Sequence, residues 1–265
     1  MNFQISIGQY YPVESPIHAL DPRIKILATF NLIILLFVAA DFWAYGVIGA
    51  AIATVIALSR VPVKFILRGL RALIYIIIFT VAINMLFAPG EQLLFSLGRF
   101  NVTVESLTWG LQMGSRLIML IISSSVLTLT TSPVELTGAI ESLLSPFKKL
   151  IPAHEIAMMM TIALRFIPTL LEEADKITKA QIARGAAFDT GTLTQRVKCL
   201  IPILVPLFVS AFRRADDLAI AMEARCYRGD INRTKMKELR YSNKDYKAMI
   251  LIIILTVFII STRLW

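Results

Sequence analysis

Runs of apolar residues that are almost free of charge constrain this chain more than any other feature of its sequence. Four of them occupy positions 26–40, 44–59, 72–88 and 106–130, and a fifth occupies positions 248–262. A helix needs about 20 mainly apolar residues to cross a hydrocarbon core that is about 30 Å thick. In addition, 57% of the 265 residues are hydrophobic, above the share of about 45–50% in ordinary soluble proteins. We therefore predict an all-α polytopic membrane protein with about five transmembrane helices.

The region between the fourth and fifth runs is different, because it holds most of the charges. Its pattern predicts a short amphipathic helix at 133–146, with Ser132 as the cap and Pro133 in the first position. Two long helices are predicted at 153–184 and 194–225, each of which begins apolar and ends charged. Apolar stretches as short as theirs more often lie in an interface or a packed core than across a membrane.

These patterns predict three domains. They are a membrane domain with four transmembrane helices at 1–130, a cytoplasmic or interfacial coupling domain of three amphipathic helices at 131–244, and a C-terminal transmembrane helix at 245–265.

Lysine and arginine residues are unevenly distributed. The segment 60–71 and the region 131–247 together hold 22 of the 27 basic residues, whereas the loop 89–105 holds only Arg99. Basic residues gather on the cytoplasmic side of a membrane protein, and two predicted spans separate the two basic segments. We therefore predict a cytoplasmic N-terminus, a cytoplasmic coupling domain and a C-terminus outside. The basic residues of the first segment are predicted to share one face of a short interfacial helix; they are Arg60, Lys64, Arg68 and Arg71.

Several kinds of chemistry are missing from the sequence. It contains no GxxxxGK[ST] motif for binding ATP and no HExxH motif for zinc. His18 and His154 are far apart, and we expect surface or capping roles for both. Cys199 and Cys226 have neither disulfide nor zinc spacing. The net charge of +9 fits the basic side of a membrane protein, and no basic patch interleaved with aromatic residues suggests a nucleic-acid partner. We predict that the chain itself binds no cofactor or metal.

Two other classes of protein share features with this sequence. Glu172, Glu173 and Lys176 resemble the EExxxR element of some intramembrane proteases, but the last apolar run lacks the His, Asn or Asp that such enzymes need, and a charged helical face explains them equally. A self-sufficient transporter would show polar or broken helices at the bilayer midplane. Only Asn84 and Arg116 interrupt the spans in this way, and Arg116 is either functional or extends outward to the interface.

One phrase occurs twice. ADKITKAQIARG at 174–185 and ADDLAIAMEARC at 215–226 both place an Ala-Asp pair nine residues before an Ala-Arg pair, near the end of a predicted helix. Small neighbours leave the fork of donors on each arginine unobstructed and let another surface come close. Two such helix ends fit a partner that is itself a pair. The alternative is that each arginine only favours its own helix terminus, an effect worth about 0.3–1 kcal/mol.

These residues resemble the transmembrane T component of energy-coupling factor (ECF) transporters. The resemblance covers nearly the whole chain and is carried by YYPVESPIHALDPRIK at 10–25, LRFIPTLLEEADKITKAQIARG at 164–185 and SAFRRADDLAIAMEARCYRG at 210–229. It implies a scaffold in the plasma membrane of a prokaryote that catalyses no reaction itself. Two cytosolic ABC-type ATPases would bind ATP and Mg, and a membrane-embedded S component would bind the vitamin or other micronutrient.

The resemblance also implies which residues carry the function. Two triplets would dock in the ATPases, and they are Ala183, Arg184 and Gly185, and Ala224, Arg225 and Cys226. Met158, Met159 and Met160 would face the S component, although ordinary packing explains them as well. Cys226 stands where the family usually has glycine, so we expect Gly229 to end the second helix instead.

Overall fold

A computed structural model of the chain describes residues 10–39, 41–87, 93–97, 100–147, 150–186, 193–229 and 239–264. Its helices are α1 (Pro22–Val38), α2 (Phe42–Ser59), α3 (Val63–Phe87), α4 (Val104–Thr130), α5 (Pro133–Leu144), α6 (Ala153–Ala183), α7 (Leu193–Ala224) and α8 (Asn243–Leu264). The predicted all-α membrane class is confirmed. A short antiparallel hairpin of β1 (Leu93–Leu97) and β2 (Phe100–Thr103) stands where a loop was predicted.

Five of the described helices are long and apolar enough to cross a membrane, which is the predicted number. They are α2, α3, α4, α6 and α8. The set differs from the prediction in two places. The first predicted span, α1, has only 17 residues. In contrast, α6 has 31 residues and enters the set because its first half is apolar, while its second half carries the charges of the repeated phrase.

The beginning of α1 is fixed by two carboxylates. Asp21 caps the helix, because its Oδ1 accepts the backbone N–H of Arg23 at 2.9 Å, and Pro22 occupies the first position. The backbone N–H of Asp21 donates to Oδ1 of Asp245 at 2.8 Å. That bond ties the first turn of α8 to the beginning of α1, although 224 residues separate them.

The long helix α3 packs along α4, and two glycines make the contact close. A Cβ at Gly114 would lie 2.8 Å from Cγ2 of Val81, and one at Gly110 would lie 3.4 Å from the Val81 carbonyl. Small residues at this spacing let helix backbones approach within a membrane. The first two turns of α3 carry Lys64 and Arg68, so the separate interfacial helix predicted for this segment is wrong.

The C-terminal end of α4 is capped by the segment that precedes and begins α1. The backbone N–H of Tyr11 donates to the Leu129 carbonyl at 2.9 Å, and Nζ of the buried Lys25 donates to the Thr130 carbonyl at 3.0 Å. These are two of the last carbonyls of α4, which have no partner within the helix. The N-terminal segment therefore caps part of the C-terminal end of α4.

His18 holds this segment in shape. Its Nε2 donates to the Tyr11 carbonyl at 3.1 Å, and its Nδ1 lies 2.6 Å from the hydroxyl of Ser15. Burial lowers the pKa of His18, and the charge of Lys25 lowers it further. The neutral ring can then accept a hydrogen bond from the hydroxyl of Ser15. Of the surface and capping roles predicted for His18, the surface role is wrong, because the residue is half-buried.

Arg116, the charge inside the fourth apolar run, joins α4 to α1 and α2. Its Nε and Nη2 donate to the hydroxyl of the buried Tyr45 at 3.0 and 2.6 Å. Its guanidinium carbon lies 5.4 Å from the centre of the Phe37 ring, within cation–π distance. The arginine therefore lies level with the turn between α1 and α2 and contacts both helices.

The described residues form two compact units. One comprises those within Met1–Ala139 and Glu238–Trp265, and the other those within Ile140–Lys237. The second unit contains the end of α5 together with α6 and α7. The three functional domains proposed from the sequence remain a prediction.

Candidate functional site

The two long helices α6 and α7 run antiparallel. Nη2 of Arg214 donates to Oε2 of Glu173 at 3.1 Å, and Nε2 of Gln181 lies 3.5 Å from the Pro202 carbonyl. Moving forward along α6 therefore means moving backward along α7. The two helix ends that carry the repeated phrase consequently point in opposite directions.

The contact between Glu173 and Arg214 has a special position in the sequence. These residues are 41 positions apart, the same offset that relates Arg184 to Arg225 and Asp175 to Asp216. In an antiparallel pair of related helices, residues at equivalent positions touch each other only near a two-fold axis. The pair of helices thus has approximate two-fold symmetry. Each arginine lies about 16 Å from the contact between Glu173 and Arg214, which we call the crossing, at a rise of 1.5 Å per residue.

The first phrase ends α6 in a cap closed by two hydrogen bonds. Gly185 adopts a left-handed conformation with φ 89°, and its N–H donates to the Ile182 carbonyl at 2.9 Å. The N–H of Ala186 donates to the Gln181 carbonyl at 3.0 Å. This is a Schellman motif, in which the last orphan carbonyls of a helix are satisfied. Arg184 is the capping residue between the helix and the left-handed turn.

The second phrase ends α7 with the same motif. Cys226 is left-handed with φ 55°, and its N–H donates to the Glu223 carbonyl at 2.8 Å. The N–H of Tyr227 donates to the Met222 carbonyl at 3.0 Å. The expectation that Gly229 ends this helix is therefore wrong, because Cys226 itself takes the conformation that Gly185 takes in the first phrase.

All six residues predicted to dock are exposed at these two ends; they are Ala183, Arg184, Gly185, Ala224, Arg225 and Cys226. Within the part of the chain that the structure describes, neither arginine forms an ion pair. The structure places each triplet together on one helix end, and it places the two triplets on opposite ends of the pair. Their docking role remains a prediction.

The apolar first halves of the two helices leave large side chains uncovered. Met158 is half-buried, whereas Met159 and Met160 are exposed on α6. On α7 the exposed residues include Leu204 and Phe208. An apolar groove of about 330 Å³ lies between the helices, and its lining includes Phe166, Leu170, Ala211, Ala215, Leu218 and Met222. These faces suit an apolar partner or lipid.

Sequence reasoning missed a hydrogen-bonded chain at the beginning of α6. His154 is 7% exposed, so of the surface and capping roles predicted for it the surface role is wrong. Its Nδ1 lies 3.0 Å from Oε1 of Glu141 on α5, and its Nε2 lies 3.2 Å from the hydroxyl of Tyr227 after α7. No sequence motif joins these three residues, because 73 positions separate His154 from Tyr227.

Two acidic residues of α6 form ion pairs. Glu173 pairs with Arg214 across the two helices, and the carboxylate of Asp175 pairs with Lys179 one turn further along α6. Among the residues that the structure describes, no group of three or more His, Cys, Asp and Glu side chains is arranged to hold a metal ion. An ion pair between the two helices therefore accounts for Glu173.

The apolar helices and the two capped helix ends define the class of protein. This is a multi-pass helical membrane protein that presents a pair of arginine-bearing helix ends.

Comparison with known proteins narrows the class to a family. Residues 13–236 match the CbiQ family model, described as "Cobalt transport protein". A protein of Thermosediminibacter oceani is 54% identical over 261 residues, covering 98% of both chains. One of Ruminiclostridium cellulolyticum is 51% identical over 91% of this chain and 90% of its own, and one of Bacillus subtilis is 44% identical over 97% of each. All three are named "Energy-coupling factor transporter transmembrane protein EcfT". The chain belongs to this family, and the resemblance found in the sequence is confirmed.

Proposed function

We propose that this chain couples ATP hydrolysis by two cytosolic ABC-type ATPases to the uptake of a vitamin or other micronutrient through a membrane-embedded S component. One observation carries the proposal. Two exposed arginines occupy the same cap position on two helices related by approximate two-fold symmetry. A partner that fits both ends must itself present two similar surfaces, as a pair of ATPases does.

The cap geometry suits docking. The left-handed residue after each arginine turns the backbone away, so the side chain stands at the very end of a helix with small neighbours. A guanidinium offers five donors in a fixed plane and binds carboxylate or carbonyl groups in pairs. Each ATPase would receive one arginine in a groove and would bind ATP and Mg itself.

The apolar halves of α6 and α7 are the proposed contact with the S component. Met159 is 58% exposed and Phe208 is 60% exposed, as a surface that packs against another membrane protein requires. Methionine adapts to differently shaped partners. ATP binding would draw the two docked ends together, and the paired helices would pass that motion to the S component, which would then release its nutrient inside.

The proposed orientation follows the distribution of basic residues. The N-terminus and the helix ends with Arg184 and Arg225 lie in the cytoplasm of a prokaryote, and the C-terminus lies outside the plasma membrane. The exposed Lys64 and Arg68 at the beginning of α3 belong on the same cytoplasmic side, because they continue the basic face that is typical of it.

Affinity purification from native membranes, with mass spectrometry of the bound proteins, tests the proposal. The wild-type chain should bring down two P-loop ATPases and a small membrane protein. Arg184→Glu/Arg225→Glu should lose both ATPases and keep the small membrane protein, because the reversed charges repel the same grooves. The matched control is Arg165→Glu/Arg213→Glu, which makes the same change of charge at two exposed arginines away from the helix ends.

Full recovery of the ATPases with Arg184→Glu/Arg225→Glu would show that these arginines are not the docking contacts. Absence of ATPases from the wild-type sample would contradict the coupling function. In that case, nutrient uptake by the chain alone in vesicles would identify a self-sufficient transporter instead.

A further inference from the structure

A chain of three side chains links the end of α7 to the beginning of α6 and to α5. Nδ1 of His154 lies 3.0 Å from Oε1 of Glu141, and Nε2 of His154 lies 3.2 Å from the hydroxyl of Tyr227. The side chains of His154 and Glu141 are only 7% and 17% exposed. Hydrogen bonds shielded from water in this way are stronger than exposed ones.

The positions of the protons follow from the chemistry of the partners. An ionised carboxylate only accepts hydrogen bonds, so Nδ1 of His154 carries a hydrogen and donates it to Glu141. In the neutral ring Nε2 is then an acceptor, and the hydroxyl of Tyr227 donates to it. Glu141 thus orients the ring, and the ring holds the tyrosine.

Tyr227 is also part of the second cap. Its backbone N–H closes the Schellman motif on the Met222 carbonyl at 3.0 Å, and it lies two residues after Arg225. One residue therefore closes the turn with its backbone and ties that turn to α6 with its side chain. The equivalent residue after Arg184 is Ala186, whose methyl group cannot form a hydrogen bond.

We infer that His154 is a positioning residue that, through Tyr227, holds the Arg225 end of α7 in a fixed orientation for docking. Among the residues that the structure describes, the Arg184 end has no equivalent of this tether, so the two docking ends differ in their freedom of movement. This inference rests on the proposed docking function. It assigns a role to His154 and Tyr227, which both lie outside the repeated phrase.

Spin labels at matched positions of the two ends test the tether. The labels are carried by Glu223→Cys and by Ile182→Cys, both exposed and both two residues before the capping arginine, in a full-length chain with Cys199→Ser and Cys226→Ser. Tyr227→Phe, which removes only the hydroxyl, and His154→Gln should each increase the mobility of the label at position 223. The spectrum of the label at position 182 should not change. A general loss of stability would instead change the spectra of both labels. Tyr75→Phe, at an exposed tyrosine of α3, is the matched control.

Binding of the ATPases gives the second readout. The two ATPases recovered with the wild-type chain should bind unlabelled Tyr227→Phe about five-fold more weakly, the effect of one lost hydrogen bond. An unchanged spectrum at position 223, or unchanged ATPase affinity, would overturn the inference. Failure of the docking proposal looks different, because the wild-type chain would then bind no ATPase while the spectra still reported the tether.

Discussion

Cys226 adopts a left-handed backbone conformation that residues other than glycine disfavour. The left-handed conformation costs a non-glycine residue about 1–2 kcal/mol. We expected the missing glycine to move the helix end, but the cap bonds to the Glu223 and Met222 carbonyls keep it in place. A sequence shows the propensity of one residue and not the bonds of its neighbours, so this position could not be predicted correctly.

Replacing Cys226 by glycine should stabilise the protein. Glycine adopts φ 55° without steric strain, although it adds conformational freedom to the unfolded chain, so the expected gain in the free energy of unfolding is about 0.5–1 kcal/mol. Denaturant unfolding in detergent, followed by circular dichroism, measures it. Cys226→Ala keeps the strain and removes the sulfur, so it should give no gain. Equal stabilisation by alanine and glycine would show that strain at this position is not the cause.

At the scale of the helices, sequence patterns perform well where a cap or a proline marks an end. The helices predicted at 153–184 and 194–225 agree with α6 and α7 within one residue at each end. The prediction failed at the beginning of α3, because charged residues were taken as a break although nothing in that segment interrupts a helix. Gly110 and Gly114 have the spacing of a close helix contact, so their packing against α3 was predictable and was missed.

The contact between Glu173 and Arg214 should depend on opposite charge at the crossing. Glu173→Arg places two positive charges there and should lower the thermal unfolding midpoint. Exchanging both residues, Glu173→Arg/Arg214→Glu, should restore much of the loss, because equivalent positions near a two-fold axis have similar surroundings. Unfolding midpoints of the two single variants and the exchange variant, compared as a double-mutant cycle, measure the coupling.

The same exchange within one helix is the control for this cycle. Asp175→Lys/Lys179→Asp exchanges a pair of charges that lie on α6 alone and are exposed. It should leave the midpoint nearly unchanged. If the crossing variants showed no coupling beyond that of this control, the ion pair would not hold the two helices together.

At the scale of the whole molecule, the sequence predicts how many helices are long and apolar enough to span a membrane, but not which helices are neighbours. The apolar runs predict five spans, and the charges of the region 131–247 set it apart. The pairing of α8 with α1, through Asp21 and Asp245, joins the two ends of the first unit across 224 residues. Such a contact depends on the shapes of both partners in the folded state, and no sequence pattern within either segment predicts it.

The proposed orientation makes a direct prediction about which residues reagents outside the cell can reach. In intact cells, a membrane-impermeant maleimide should label Arg263→Cys and should not label Cys226, in a chain with Cys199→Ser. The first lies near the end of α8 and the second on the exposed end of α7. After the cells are made permeable, Cys226 should also react.

Glu14→Cys, in a chain with Cys199→Ser and Cys226→Ser, is the companion variant for the N-terminal segment. It is exposed before α1 and should react only in permeable cells. Labelling of Cys226 in intact cells would reverse the proposed orientation and would place both arginines out of reach of cytosolic ATPases.

Under the proposed function, the off-centre position of the contact between Glu173 and Arg214 would make the pair of helices act as a lever. Eleven residues separate each arginine from the crossing, and about 20 residues separate the crossing from the beginning of each helix. If the rods are stiff, a displacement of 1 Å at each arginine becomes roughly 2 Å at the apolar beginnings, with force reduced in the same proportion. Pro168, Pro202 and Pro206 all lie in the long arms. Bending therefore concentrates in the long arms, whereas the short arms contain no proline that would bend them.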